Sequence, residues 1–185
     1  MTKHIRFLQA FLFLALAALA LGPVRAASGE LLEQDSEAAL KALYAKAPGA
    51  KALGDKSKGI LVFPNVTRAG FILGAQGGDG VLFEHGKVTG HYRTAAFSAG
   101  LQAGIQSYGY ALFFMTDDDL AFLKTTSGAG GWSLGIGPTI VIADAGAGKD
   151  VSTLTGQKGV YGFIFDQKGL MAGLGLAGQK IGKIK

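Results

Sequence analysis

The spacing of apolar and polar residues changes character twice along the chain. Leu31, Leu32, Ala38, Ala39, Leu43 and Ala47 recur at intervals of roughly three and four, which predicts an amphipathic helix. Glu30, Glu33, Asp35 and Glu37 stand toward its start and Lys41 and Lys46 toward its end, an order that suits the helix dipole. Pro48-Gly49 stops it, and a second short helix is predicted over 50–55. From Gly59 the pattern becomes that of strands. Residues 59–64 form a short apolar run ended by Pro64, and 69–76 form a second run, apolar on both parities. Gly77-Gly78-Asp79-Gly80 predicts a turn into a strand at 81–84, and His85-Gly86-Lys87 a hairpin tip leading into 88–93.

Further on, Leu101, Ala103 and Ile105 alternate with Gly100, Gln102, Gly104 and Gln106, and a buried run follows at 110–115. Asp117-Asp118-Asp119 predicts a helix start with Leu120, Phe122 and Leu123 on its apolar side. Residues 132–142, 159–165 and 170–177 read as strands. Several of these strands carry large residues on one face and small ones on the other. Trp132, Leu134 and Ile136 alternate with Ser133, Gly135 and Gly137, while Leu170, Ala172, Leu174 and Leu176 alternate with Met171, Gly173 and Gly175. Glycine weakens a strand unless it permits bending or close backbone approach. Its repeated use predicts an α+β, strand-dominated fold: a strongly coiled antiparallel sheet or small barrel, with an N-terminal helix and one or two short helices.

Composition sharpens this picture. The chain has 185 residues, 30 of them glycine and none cysteine, and is 17% charged, against about 25% in an average domain. Disulfide scaffolds and thiolate metal sites are excluded. Residues 1–26 read as a secretory signal peptide: Lys3, His4 and Arg6, an apolar run at 10–21, Gly22-Pro23, then Val24-Arg25-Ala26 before the cleavage point. The run is short for a membrane anchor. The expected mature protein is one domain over 27–185, exported to the periplasm, the envelope or the exterior. Of 18 basic and 13 acidic residues the leader carries three basic ones, leaving 15 against 13, a mature charge of +2. That balance does not suit a nucleic-acid binder, so electrostatic function requires local clustering. A transmembrane barrel fits poorly, because no paired aromatic girdles are evident.

Two basic clusters stand out. Lys46, Lys51, Lys56, Lys58 and Arg68 are opposed only by Asp55; Lys158, Lys168, Lys180, Lys183 and Lys185 are opposed only by Asp166. Solvated lysines that keep an apolar chain in solution are the plain reading, and a phosphate-facing patch is the functional one. Catalytic patterns fail on context. Gly131-Trp132-Ser133-Leu134-Gly135 has the letters of a nucleophile elbow but no following helix, and His85 and His91 precede the serine. Gly173-Leu-Gly-Leu-Ala-Gly178 has no downstream acid for a ribose, and Gly146-Ala-Gly-Lys149 lacks the P-loop spacing. His85 and His91 read as surface hairpin positions rather than metal ligands, and Asp117–Asp119 as helix capping rather than a calcium loop. No enzyme, cofactor or metal is expected.

Several blocks in order resemble the SYLF (Ysc84-type) domain in its bacterial exported form. They are Lys58-Gly-Ile-Leu-Val-Phe-Pro64, Val66-Thr-Arg-Ala-Gly-Phe71, Gly80-Val-Leu82, Gly100-Leu-Gln-Ala-Gly104, Gly135-Ile-Gly-Pro138, Tyr161-Gly-Phe-Ile-Phe165 and Gly169-Leu-Met-Ala-Gly-Leu-Gly175. The likeness runs from about Ala38 to Ile184. What the resemblance implies is lipid binding and membrane association; eukaryotic relatives bind phosphoinositides and meet actin at endocytic sites. For an exported bacterial chain the implied partner is an anionic phospholipid, another envelope lipid or a protein.

The expected function is therefore a non-enzymatic lipid- or membrane-surface-binding protein of the envelope. Lys51, Lys56, Lys58 and Arg68 would meet phosphates, with Phe63 or Phe71 at the acyl boundary. The alternative is a structural or interaction module that docks a partner or forms a homo-oligomer, for instance through an exposed edge strand at 69–76.

Overall fold

A computed structural model of the chain describes residues 29–70, 73–99, 104–144, 159–169 and 178–184. The expected signal peptide at 1–26, Phe71, Lys158, Lys185 and the strand expected at 170–177 lie outside the described residues. Helix α1 spans Gly29–Lys46 and α2 spans Pro48–Gly54. Four long strands follow: β1 (Gly59–Gly70), β2 (Leu73–Glu84), β3 (Lys87–Ala99) and β4 (Gly104–Phe114). Helix α3 (Asp117–Gly128) leads to β5 (Trp132–Ser133), β6 (Ile140–Asp144), β7 (Val160–Gly169) and β8 (Lys180–Ile184).

The strands make one eight-stranded sheet in the order β5-β8-β3-β2-β1-β4-β7-β6. All pairings are antiparallel except β6 with β7, which is parallel. The sheet has to curl. Laid flat, its seven interstrand spacings would separate the edges by roughly 34 Å. Yet the two edge strands, β5 and β6, follow one another in the chain, and the link from Ser133 to Ile140 reaches at most about 25 Å. The result is the strand-dominated half-barrel that the large-and-glycine alternation predicts.

Each face of the sheet has its own core. The concave face holds Leu61, Phe63, Leu82, Tyr108, Tyr110 and Phe114, closed over by Leu120 and Leu123 of α3 and by Trp132. Trp132 donates its indole N–H to the Ile136 carbonyl at 2.8 Å, folding the segment after β5 back over the ring. Toward one end this face turns polar. Thr94 donates to Gln179 Oε1 (2.8 Å), Gln179 Nε2 donates to the Tyr108 hydroxyl (3.0 Å), and Tyr108 donates to Gln76 Oε1 (3.2 Å). Burial pushes the Tyr108 and Tyr110 hydroxyls above their ordinary range, well above it for Tyr110. The convex face is covered by the helices, with Leu32, Leu43, Ala50 and Leu53 lying on Val62, Val81, Phe113 and Phe163. Helix α1 crosses this face obliquely, held at its start by Glu33 and His91 of β3 (3.0 Å) and at its end by Lys46 and Asp166 of β7 (2.6 Å).

Three local expectations change. The predicted turn at 77–80 is strand interior, because β2 runs unbroken to Glu84. There β1 carries a bulge beside Pro64, between Val62 and Thr67 in its register with β2, and its backbone presses onto β2. A Cβ on Gly78 would collide with the Asn65 carbonyl, and one on Gly80 with the Val62 carbonyl and the Phe63 ring, so these glycines permit the close approach that the curl needs. Second, 132–142 is not one strand: Gly135 and Gly137 take φ of 104° and 103°, breaking it into β5 and β6. Third, the exposed edge expected at 69–76 does not exist. Those residues fall at the ends of β1 and β2, and each strand is paired on both sides. By contrast His85-Gly86 is a two-residue hairpin tip, both residues at positive φ (50° and 75°), as a type I′ turn requires. Thr116, one residue before the acidic triplet, caps α3 by accepting from Asp119 N–H at 3.1 Å.

Candidate lipid-facing surface

Along β1 the side chains expected to meet lipid are drawn apart. Lys51 on α2 is ion-paired to Asp55 at 2.9 Å and lies over the Tyr44 ring, 5.9 Å from its centroid. Lys56 is exposed just past α2, and Lys58 is exposed 3.6 Å from Asp117. Arg68 is ten residues farther along β1 than Lys58, roughly 30 Å at the rise of an extended strand. It falls on the opposite, concave face, in register with Gln76 and Gln106. Phe63 is fully buried, its ring 4.6 Å from that of Tyr110, so it belongs to the core and leaves the lipid-facing set. Its strand alternates into both cores, and a run buried on both faces carries no surface aromatic.

The other end of the convex face has a different make-up. Among the described residues, no residue of α1 or α2 joins a core cluster with this end of the strands. Register places Phe97 of β3 beside Ala75 of β2, Ala75 beside Ala69 of β1, and Ala69 beside Ile105 of β4. Paired residues share a face of the sheet, so these four make one apolar row. Phe97 is 90% exposed and Ile105 71%. Isolated exposed apolar residues are ordinary, whereas large ones set in a row on a bare sheet mark an interaction surface.

One step back from the tip, a second row crosses six strands. It runs Lys180–Ala95–Gly77–Thr67–Ser107–Lys168, from β8 through β3, β2, β1 and β4 to β7. Exposed lysines therefore stand at both ends of a row of small residues, roughly 24 Å apart at the usual strand spacing. Lys180 lays its stem along Gly131. Behind this row Arg93 forms a bidentate pair with Asp79 (2.6 and 2.9 Å), and behind that begins the helical cover. No Asp, Glu, Lys, Arg or His occurs at 69–78 or 94–116, the stretches from which the apolar row is drawn. From tip to body the order is apolar, cationic, then neutralised ion pair.

The sequence reading placed Lys168 and Lys180 in one basic cluster without assigning them a site, named Ile105 only as part of a strand alternation, and passed over Phe97. Their joint signal lay in two charge-free stretches, each running from an arginine (Arg68, Arg93) to an aspartate (Asp79, Asp117), but only register shows that the stretches are neighbours. Among the described residues no group of three His, Asp or Glu side chains gathers as a metal site would need, and no helix is long and apolar enough to cross a membrane. This end of the sheet sets exposed apolar side chains in front of exposed lysines. In comparisons with known proteins, the chain matches no family profile and no curated protein.

Proposed function

We propose that this is a non-enzymatic, exported envelope protein that attaches to an anionic lipid surface by the bare end of its sheet. Phe97 and Ile105 enter the acyl boundary, and Lys168 and Lys180 meet phosphates on either side. The observation that carries this reading is the register that sets the apolar row directly in front of the lysine row. A Phe or Ile side chain moved from water into hydrocarbon contributes about 1.5–3 kcal/mol, and each lysine near an anionic surface about 1 kcal/mol. Four such residues suffice for reversible, salt-sensitive attachment. The resemblance to SYLF domains points to the same class of partner.

Co-sedimentation with phosphatidylglycerol-containing and purely zwitterionic vesicles tests it. Phe97→Ser with Ile105→Ser is expected to lower partitioning to both vesicle types at least 10-fold. Lys168→Gln with Lys180→Gln is expected to remove most of the preference for anionic vesicles, about 5-fold per lysine. Lys51→Gln with Lys56→Gln, at the opposite end, should change nothing. Negligible pelleting of the unaltered protein with both vesicle types at low salt would overturn the reading, as would loss of binding on neutralising Lys51 and Lys56.

A further inference from the structure

At the covered end of the sheet, where α1, the link from α2 to β1 and the β2–β3 hairpin tip converge, lies an open groove of about 520 Å³, within the size range of ligand sites. Its floor is apolar, made by Leu40, Tyr44, Ile60 and Phe83. Its rim carries two cations, Lys41 and Lys58, two carboxylates, Glu37 and Asp55, and the His85 imidazole. The rim is thus charge-balanced and both signs are present, in contrast to the purely cationic row at the bare end. Asp55 is held in place by Lys51 at 2.9–3.0 Å, and Lys41 lies 3.9 Å from Glu37. The Tyr44 hydroxyl sits directly over the Gly54 α-carbon, where any larger side chain would displace it. Burial, then the nearby Asp55 charge, pushes this hydroxyl up to about 12, so it remains a donor.

We infer that this groove binds a single zwitterionic amphiphile with a phosphoethanolamine head and one acyl chain. The phosphate is met by Lys41, Lys58 and the Tyr44 hydroxyl, the ammonium by Asp55 and Glu37, and the chain lies along Leu40, Ile60 and Phe83. Charge complementarity selects this ligand. A purely anionic head would add negative charge beside Glu37 and Asp55 with no cation to offer them, and a neutral head could not exchange with the Lys41–Glu37, Lys51–Asp55 and Lys58–Asp117 pairs that hold the rim charges. The inference stands apart from bilayer attachment, because none of the groove residues belongs to the apolar or lysine rows.

Titration calorimetry on the full mature chain, below the micellar concentration of the lipid, tests it with lysophosphatidylethanolamine, lysophosphatidylglycerol and chain-free glycerophosphoethanolamine. Saturable binding of the first at one per chain is expected, at least 10-fold tighter than either of the others. Asp55→Asn should lower that affinity about 10-fold, as expected for a lost charge-assisted contact, and should leave affinity for the phosphatidylglycerol analogue unchanged or raised. Gly54→Val, which displaces Tyr44, should weaken binding, with circular dichroism and thermal melting reporting whether the fold is kept; Asp55→Asn, at an exposed carboxylate, decides the matter if it is not. The Phe97→Ser, Ile105→Ser protein should bind lysophosphatidylethanolamine as the parent does, which separates this site from the bilayer-facing end. Equal or tighter binding of the phosphatidylglycerol analogue, equal binding of the chain-free head group, or no effect of Asp55→Asn would overturn the inference.

Discussion

The two ends of the convex face are made from the same strands and yet are built to opposite rules. Near α2, the strands β1, β2 and β4 turn buried apolar residues toward the helices, among them Val62, Val81, Ala111 and Phe113, each 0% exposed. Toward the other end, these strands and β3 present Thr67, Ala69, Ala75, Gly77, Ala95 and Ser107 on this face, and Phe97 and Ile105 are the large apolar residues exposed there among those described. The covered end gains its stability from burial. At the bare end two large apolar side chains remain in water with no intramolecular gain, which is the arrangement expected where the compensating contact comes from outside the chain. Stability and the proposed adhesion are thus segregated along one set of strands.

That division is most sharply tested by removing one aromatic from each end. Phe113→Ala takes away a fully buried ring packed edge-on to Phe163 at 5.5 Å, and should cost about 3–5 kcal/mol in denaturant unfolding. Phe97→Ala should stay within about 0.5 kcal/mol of the parent while lowering vesicle binding; a large loss of stability there would merge the two ends into one core. Next in size, Gly80→Ala should cost about 1–3 kcal/mol, because the added methyl meets the Val62 carbonyl and the Phe63 ring. A neutral result would mean that the curl does not depend on backbone contact between β1 and β2.

Alkaline titration probes the concave side. Tyr92, Tyr108 and Tyr110 are raised chiefly by burial, as is Tyr44, which reaches about 12. Each phenol is neutral in both states below pH 10. Above that the unfolded chain ionises first, so the stabilisation is complete below about 10 and is lost as pH rises toward and past 12. Unfolding midpoints at pH 9 and 11 should differ accordingly, and tyrosinate absorbance should appear later in the folded protein than in urea. The smallest effect is expected from Lys46→Ala. The Lys46–Asp166 pair is half-exposed and contributes about 0.2–1 kcal/mol, measurable as a slight drop in melting temperature without loss of the helix.

How far the sequence could be read follows from how local each feature is. Helix α1 announces itself through Leu32, Ala39 and Leu43, and the His85-Gly86 tip through its glycine, because both depend on neighbours within a few residues. The overall class was legible from glycine recurring within strand-like runs, since a strand without a Cβ can bend and take a neighbour close, as at Gly78 and Gly80. The two alternations that suggested it, at 132–137 and 170–176, are respectively broken at Gly135 and outside the described residues. The glycines at 77–80 misled because a turn and a tightly pressed strand ask the same thing of the backbone, the absence of a Cβ. Phe63 misled because periodicity cannot separate a strand buried on both faces from one with a wet side. The lysine row was out of reach altogether. Lys168 and Lys180 are twelve residues apart in the chain but stand at opposite ends of a six-strand register, and no short-range pattern encodes that span.

The position of β8 has a temporal consequence. It is the last strand in chain order, yet it must slot between β3 and β5, joining residues as distant as His91 and Ile184. Until it arrives, β3 keeps one flank open and β5 has no ladder at all. Pairings this remote in sequence are slow to form. Until that pairing forms, the flank of β3 is an open edge of the kind that favours association between chains at high concentration.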